Sequence, residues 1–277
     1  MSQSIFVKIC SLDDTELSAT ILDAVFKAKR PENLYFGIYL MYQDEKTLIS
    51  LKAAKEIAEQ YGAKFYLVTK TLRSTLLGVG KARQIVDQMY GGQEYVLQID
   101  AHSWFPWNWD VTLKDLLCYK DPMTILTGYA APYEYHGRFR QPKDHGKLMY
   151  PKLTREKLFC EWLPENWHPV YPQNKEPFIP TKFSANFAFG TYKWGQYSGV
   201  FEKAIFFSEE PIQTKRLKRK GFKLLYPNID EPLICHLYAQ DINERGKRKS
   251  FTDYLSDHDS NYLMNVMDRH YYESELS

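Results

Sequence analysis

The chain has 277 residues, of which 44% are hydrophobic and 16% aromatic, so it can build a substantial core and is not disordered as a whole. Its net charge of +2 is too small to attract nucleic acid or anionic membranes through a global field. The cysteines, Cys10, Cys118, Cys160 and Cys235, are widely spaced and are predicted to be buried thiols in a reducing compartment.

The N-terminal sequence MSQSIFVKICSLDD does not have the pattern of a signal peptide, because acidic residues soon interrupt its short apolar run. A membrane-spanning helix needs about 18 or more apolar residues in succession, and the chain has no such run. We therefore expect a cytoplasmic protein, located in the host cytoplasm if it is viral, with no membrane partner.

Strand and helix patterns alternate over the first 130 residues. Short β-branched and aromatic runs predict strands over 4–9, 34–40, 64–70, 94–99 and 123–128. Amphipathic patterns predict helices over 15–29 and 47–61, and a third over 81–92 that ends at a glycine pair. This order predicts an α/β fold with a mainly parallel sheet flanked by helices, in which ligands bind at the carboxyl ends of the strands.

Asp100 and His102 directly follow the fourth predicted strand. Alternate positions of an extended segment point the same way, so the carboxylate and the imidazole can converge on one divalent cation. The alternative is a carboxylate that caps the next turn and a histidine in a polar loop. If a metal binds, Mn²⁺ or Mg²⁺ suits this mixed ligand set better than zinc.

Three tryptophans, Trp104, Trp107 and Trp109, come next in the sequence. They can form a stacking wall for the ring of a ligand, or they can belong partly to the core.

Residues 129–182 are rich in proline, tyrosine, tryptophan and histidine, and are too long for an ordinary connection. We interpret them as a functional insertion that lines a cleft. A strand over 182–190, a helix that starts near 208–211 and a strand over 222–227 follow. The chain shows neither an internal repeat nor a clean linker, which favours a single domain.

Two basic segments each have two interpretations. Six of the nine residues in 215–223 are basic. They are either a solvated helix face or a contact for a phosphate backbone. Residues 246–249 are either a solvated tail or a cationic lid in which Lys247 and Arg248 bind a ligand that carries phosphates.

A wider set of segments carries a family resemblance: IFVKICSLDD, KRPENLYFGI, GVGKARQIVDQMYGGQEYVLQIDAH, FSANFAFG, FSEEPIQTKRLKRKGFKLLYP and CHLY. Together they resemble the glycosyltransferases related to cytoplasmic hydroxyproline and mucin-type polypeptide N-acetylglucosaminyltransferases, in the same order from about residue 4 to 240. The resemblance implies a GT-A type, Rossmann-like single domain over 1–277. Its nucleotide-sugar-binding half covers about 1–130, its acceptor-side half about 131–240, and 241–277 form a basic tail.

The resemblance also implies roles for individual residues. Asp100 and His102 match the metal motif of the family, and His236 matches the late histidine that closes the metal site. Ser11 and Asp14 follow the first strand, where this fold receives the base and ribose of the donor.

Four further residues are assigned in the same way. Arg83 is expected to hold a phosphate or to orient Asp100, unless it is a surface arginine. Glu209 and Glu210 match a pair that faces the donor sugar and the acceptor, although acids in a first helical turn also compensate the helix dipole. Asn186 stands where relatives tend to have glycine and is assigned, with the tryptophans, to the acceptor side.

The activity implied is transfer of a hexose or N-acetylhexosamine from a UDP-GlcNAc or UDP-Glc type donor to a protein hydroxyl, with retention and an α-linkage. One alternative is a phage-type enzyme that glycosylates hydroxymethylated pyrimidines in DNA, with the base extruded into an aromatic pocket. Another is a catalytically silent protein that only binds the nucleotide-sugar.

Overall fold

The computed structural model describes residues 3–72, 78–118, 120–143, 176–206, 208–230, 232–238, 242–243, 246–247, 270 and 274. Its strands are β1 Ile5–Leu12, β2 Leu34–Tyr42, β3 Lys64–Thr71, β4 Tyr95–Asp100, β5 Ser103–Trp104, β6 Thr124–Thr127, β7 Tyr133–His136, β8 Phe139–Pro142, β9 Phe178–Pro180, β10 Phe187–Thr191, β11 Lys223–Pro227, β12 Cys235–His236, β13 Ile242–Asn243 and β14 Gly246–Lys247. Its α-helices are α1 Leu17–Lys27, α2 Glu45–Gln60, α3 Val79–Asp87, α4 Trp109–Leu117, α5 Tyr192–Tyr197 and α6 Glu209–Arg219.

Eight strands form one sheet in the order β3-β2-β1-β4-β10-β6-β11-β9. The neighbours β3, β2, β1 and β4 are parallel, and so are β6 and β11. β10 runs antiparallel between β4 and β6, and β9 is antiparallel at one edge. The predicted α/β fold with a mainly parallel, helix-flanked sheet is therefore confirmed.

The sheet is buried on both faces because successive side chains of each strand point to opposite layers of helices. Ile5 of β1 packs in one cluster with Ile21 of α1 and Trp109 of α4. Phe6 packs in the other cluster with Val86 of α3 and Leu217 of α6. Burial of each such side chain contributes about 1.5–3 kcal/mol, so the two layers hold the strand ends in fixed positions.

The carboxyl ends of β1 and β4 lie side by side, with Cys10 in register with Asp100. α1 and α3 begin at this edge, because each returns from the carboxyl end of one parallel strand to the amino end of the next. Helix N-termini carry partial positive charge, so the edge favours anionic ligands.

A short second sheet brings the C-terminal part of the described chain to the same edge. β12 pairs antiparallel with β5, so that His236 is opposite Ser103. The His236 amide donates to Ala131 O at 2.9 Å, and the Leu237 amide donates to His102 O at 3.0 Å. Backbone hydrogen bonds thus fix His236 beside His102.

Several element predictions need correction. The third helix covers Val79–Asp87 and ends before the glycine pair, and the strand predicted over 182–190 is instead the shorter Phe187–Thr191. α4 lies in the tryptophan-rich segment, where no helix was predicted. Of the proposed insertion 129–182, residues 133–142 contribute the β7–β8 hairpin, whereas 144–175 lie outside the described residues.

The prediction of buried thiols is also wrong in part. Cys235 is buried, Cys10 is half-buried and Cys118 is exposed, since it caps the solvent-facing C-terminus of α4; Cys160 is not among the described residues. Within the described part of the chain, no helix combines the length and the apolar character needed to cross a membrane.

Candidate functional site

A carboxylate and two imidazoles converge at the carboxyl edge of the sheet. One ligand atom from each of Asp100, His102 and His236 lies within 4.8 Å of the others. His236 Nε2 is 2.8 Å from His102 Nε2 and 3.1 Å from Asp100 Oδ2. The structure therefore brings together the three residues that were assigned as metal ligands.

The spacing of these atoms fits a six-coordinate divalent cation. Adjacent ligands of an octahedral ion with bonds of about 2.1 Å lie about 3.0 Å apart, and opposite ligands about 4.2 Å apart. The separations among the three residues run from 2.8 to 3.9 Å. Three protein ligands, one oxygen and two imidazole nitrogens, leave the other coordination positions of Mn²⁺ or Mg²⁺ for phosphate oxygens and water.

Arg83, an almost fully buried residue at the middle of α3, contacts the Asp100 carboxylate. Arg83 Nη2 donates to Asp100 Oδ1 at 3.1 Å, and Arg83 Nε donates to Glu209 Oε1 at 3.0 Å. Burial alone would raise the pKa of Asp100, but the hydrogen bond from His236 and the charge of Arg83 hold it well below its usual range. Arg83 thus contacts Asp100 directly, as one of its two expected roles requires, and its second carboxylate partner is Glu209.

Ser11 lies near the end of β1 and is only 5% exposed. Its hydroxyl has no hydrogen-bond partner among the described residues. Tyr39 on β2 is in register with Cys10, and its buried hydroxyl also lacks a partner within the described chain. Buried polar atoms are normally hydrogen-bonded, so these two hydroxyls are candidates for contacts with a bound ligand.

Glu210, the second residue of α6, joins a network on the other side of Asp100. Its Oε1 accepts from the Ala185 amide at 2.6 Å, and its Oε2 accepts from the Tyr129 hydroxyl at 2.8 Å. Asn186 Oδ1 accepts from the Ala130 amide and from the Ser184 hydroxyl. Burial raises the pKa of Glu210 to about 8, although the hydrogen bonds from Ala185 and Tyr129 oppose the shift.

A pH-dependent stability follows for Glu210→Gln. Folding raises the pKa of Glu210 from 4.5 to about 8, so the folded protein keeps a proton that the unfolded chain releases in this window. The contribution of Glu210 to the free energy of unfolding of the wild type therefore falls as the pH rises from about 4.5 to 8. We expect the variant to gain about 1–3 kcal/mol relative to wild type between pH 5 and pH 8, in urea denaturation.

The exposed Glu56→Gln on α2 is the control for this comparison. A difference between Glu210→Gln and wild type that stays constant with pH would contradict the prediction.

The structure does not bring the three tryptophans together at the metal ligands. Trp109 is 1% exposed and donates from Nε1 to Ala24 O at 2.8 Å, so it belongs to the core. Trp104 is half-buried with Lys27 Nζ 4.1 Å from its ring centre, and Trp107 is 71% exposed. After His102 the chain runs along α1 towards its C-terminal end, away from the site.

The basic segment 215–223 also lies away from the site. Its exposed cations are at the C-terminal end of α6, about 16 Å along an 11-residue helix from Glu209. Lys223 pairs with Asp121 at 3.1 Å, at the amino ends of β11 and β6. Of the proposed lid, Lys247 ends the short strand β14 without a described side chain, and Arg248 lies outside the described residues.

Besides Tyr39, the sequence analysis missed Tyr129 and Tyr238. Tyr129 follows β6, which points to the same edge as β4, so the rule that identified Asp100 applies to it as well. Tyr238 packs edge-on against His236 with ring centres 4.4 Å apart, and its hydroxyl donates to Ala130 O at 2.7 Å. Its position two residues after His236 was the available signal.

Comparison with known proteins adds to this geometry. A family model described as Glycosyltransferase (GlcNAc) matches residues 67–273. No curated protein matches the chain significantly.

Two solved structures are similar to the chain. One is the crystal structure of GalNAc-T7 with UDP, GalNAc and Mn²⁺, with 12% identity and a TM-score of 0.58 over 85% of this chain and 43% of that one. The other is the mannosyltransferase PcManGT from Pyrobaculum calidifontis in complex with GDP-Man and Mn²⁺, with 14% identity and a TM-score of 0.52 over 88% of this chain and 58% of that one. The chain thus spans about half the length of these structures, and the likeness confirms the predicted GT-A fold.

Proposed function

Because the chain belongs to the Glycosyltransferase (GlcNAc) family, we propose that it is a metal-dependent enzyme that transfers a hexose or N-acetylhexosamine from a nucleotide diphosphate sugar to a hydroxyl acceptor. The observation that carries this proposal is the convergence of Asp100, His102 and His236 at the ligand edge of the sheet. A UDP-GlcNAc or UDP-Glc type donor and Mn²⁺ or Mg²⁺ are the proposed ligands. The similarity to structures that contain UDP or GDP-Man with Mn²⁺ supports this assignment.

A bound divalent cation supplies the positive charge that neutralises the diphosphate as it leaves the sugar. In the proposed site Asp100, His102 and His236 hold that cation, and Arg83 keeps the Asp100 carboxylate ionised and oriented. Ser11 and Tyr39 contribute hydroxyls for the nucleoside. Arg83 itself does not bind phosphate in this proposal, because its guanidinium already contacts Asp100 and Glu209.

Glu209 and Glu210, the first two residues of α6, have different roles in this proposal. Glu209 is 6% exposed and is occupied by Arg83, so its role is to position the arginine. Glu210 is less buried, and burial raises its pKa to about 8, so in its protonated form it can donate a hydrogen bond to a hydroxyl of the sugar. In a retaining reaction the proton of the attacking hydroxyl passes to the departing phosphate, and neither glutamate has to act as a base.

A protein hydroxyl is our leading acceptor. For hydroxymethylated DNA, the exposed cations of 215–223 would have to hold the duplex at the sheet edge opposite to the metal ligands. Trp109 is also in the core and Trp107 lies beyond the site, which removes two of the aromatic residues assigned to an extruded base.

The test uses purified protein, a panel of UDP-sugars, Mn²⁺, and hydroxyproline, serine and threonine peptides beside hydroxymethylated DNA. We expect Mn²⁺-dependent release of UDP and transfer to a peptide. Donor binding without turnover on any acceptor would support the catalytically silent alternative. Failure to bind any UDP-sugar in the presence of Mn²⁺ would refute the enzyme assignment.

Replacement of Ser11 by alanine is expected to raise the dissociation constant for UDP by about 5–10-fold, which corresponds to one lost hydrogen bond of about 1–1.4 kcal/mol. Stability should change little, because the hydroxyl has no partner within the described residues. Isothermal titration with UDP and Mn²⁺ measures the effect. Ser4→Ala is the matched control, since Ser4 is equally buried next to the other end of β1; equal UDP affinities for both variants would contradict the assignment.

A further inference from the structure

Asp14 lies at the start of α1 and contacts one of the metal ligands. Its Oδ2 is 2.8 Å from His102 Nδ1, and its Oδ1 accepts from the Glu16 amide at 2.9 Å. Asp14 is 6% exposed. The sequence instead led us to expect that Asp14 contacts the base or ribose of the donor.

The contact between Asp14 Oδ2 and His102 Nδ1 suits one of the two tautomers of a neutral imidazole. An ionised carboxylate can only accept hydrogen bonds, so the proton of a neutral His102 resides on Nδ1. Its Nε2 then presents a lone pair, and this atom faces His236 Nε2 at 2.8 Å and Asp100 Oδ2 at 3.9 Å. Metal-binding histidines commonly donate from their second nitrogen to a carboxylate in this way.

Asp13 and Glu16, on either side of Asp14 in the chain, are both anchored by hydrogen bonds, so the position of Asp14 is well defined. Asp13 Oδ1 accepts from the Gln43 and Asp44 amides and from the Thr47 hydroxyl, which ties the segment to the start of α2. On the other side, the carboxylate of Glu16 accepts from the hydroxyls of Tyr133 and Tyr135. The segment is thus held between α2 and the β7–β8 hairpin, which is the rigid support that a metal ligand requires.

We propose that Asp14 is a positioning residue that fixes His102 in the tautomer with Nε2 directed at the cation, and that it does not bind the nucleotide. This inference rests on the metal site of the proposed function. It reassigns Asp14 from donor binding to control of a ligand, and it makes the start of α1 part of the metal centre.

Two substitutions separate this role from the structural one. In Asp14→Asn the amide keeps one oxygen for the Glu16 amide but turns an N–H donor towards His102, which favours the tautomer with the proton on Nε2. In Asp14→Ser the hydroxyl can still accept from the Glu16 amide, but it no longer reaches His102. Asp13→Asn is the matched control, because it retains its oxygen acceptor next to Asp14 without touching the histidine.

The test combines Mn²⁺ titration in the absence of nucleotide with ¹⁵N NMR of the histidines in the metal-free protein. We expect wild-type His102 to be protonated on Nδ1 and that of Asp14→Asn on Nε2. The dissociation constant for Mn²⁺ should rise by about 10–100-fold in both Asp14 variants and stay unchanged in Asp13→Asn. UDP alone, without metal, should bind all four proteins equally.

Unchanged Mn²⁺ affinity and an unchanged tautomer in both Asp14 variants would overturn the inference. So would a loss of metal-free UDP binding, which would return Asp14 to the nucleotide. If wild type binds Mn²⁺ and Asp100→Asn does not, while the Asp14 variants still do, the inference fails and the proposed function stands. If wild type itself does not bind Mn²⁺, both fail.

Discussion

Asp100→Asn is expected to lower kcat/KM for sugar transfer by about 10³-fold, the largest effect on activity that we predict. The amide has the size of the carboxylate, so the packing at the end of β4 should persist. It lacks the negative charge that binds the cation and that pairs with Arg83 at 3.1 Å. Initial rates of UDP release, measured over a range of Mn²⁺ concentrations, give the effect.

Asp121→Asn is the matched control, because Asp121 is also an aspartate in an ion pair but lies at the opposite edge of the sheet, beside Lys223. Its kcat/KM should stay within about twofold of wild type, as expected for a surface pair. If Asp100→Asn retained more than a tenth of the wild-type activity, Asp100 would not be a metal ligand.

Arg83→Met should cause the largest loss of stability, about 3–5 kcal/mol in the free energy of unfolding. The arginine is 2% exposed and bridges Asp100 and Glu209, so its removal leaves two carboxylates close together without a countercharge. Urea denaturation at pH 7 measures the loss. The double variant Arg83→Met, Glu209→Gln should recover part of it, because one of the two buried charges is then absent.

Lys81→Met provides the comparison on the same helix. Lys81 is exposed and contacts only Gln84 among the described residues, so its loss should cost less than about 0.5 kcal/mol. If Arg83→Met were no more harmful than Lys81→Met, the buried bridge would not contribute to the fold.

The parallel half of the sheet was predictable because its signal is local. β-branched and aromatic runs marked β1 to β4 to within a few residues, and the rule for parallel sheets then placed Asp100 and His102 at the ligand edge. The direction of β10 carried no such signal, since it depends on its pairing with β4 and β6. α4 was missed because its first residue, Trp109, was interpreted with the neighbouring tryptophans as part of a wall.

Only part of the candidate site could be identified from the sequence, and most of the contacts between its residues could not. Local pattern identified Asp100 and His102, and the family resemblance was needed to add His236. The resemblance offered contact between Arg83 and Asp100 as one of two roles for the arginine, but nothing in the sequence indicates that Asp14 contacts His102 or that Arg83 also contacts Glu209, because these contacts join residues 88 and 126 positions apart. The packing of helices on the sheet brings these distant residues into contact.

The pairing of β12 with β5 has a consequence for how the protein matures. His102 and His236 are 134 positions apart, so a nascent chain emerging from the ribosome displays Asp100 and His102 long before the third ligand is synthesised. Contacts this distant form late in folding, because a long loop must close first. In the proposed site a cation therefore has all three ligands only in the completed fold, and its binding would stabilise that fold by mass action.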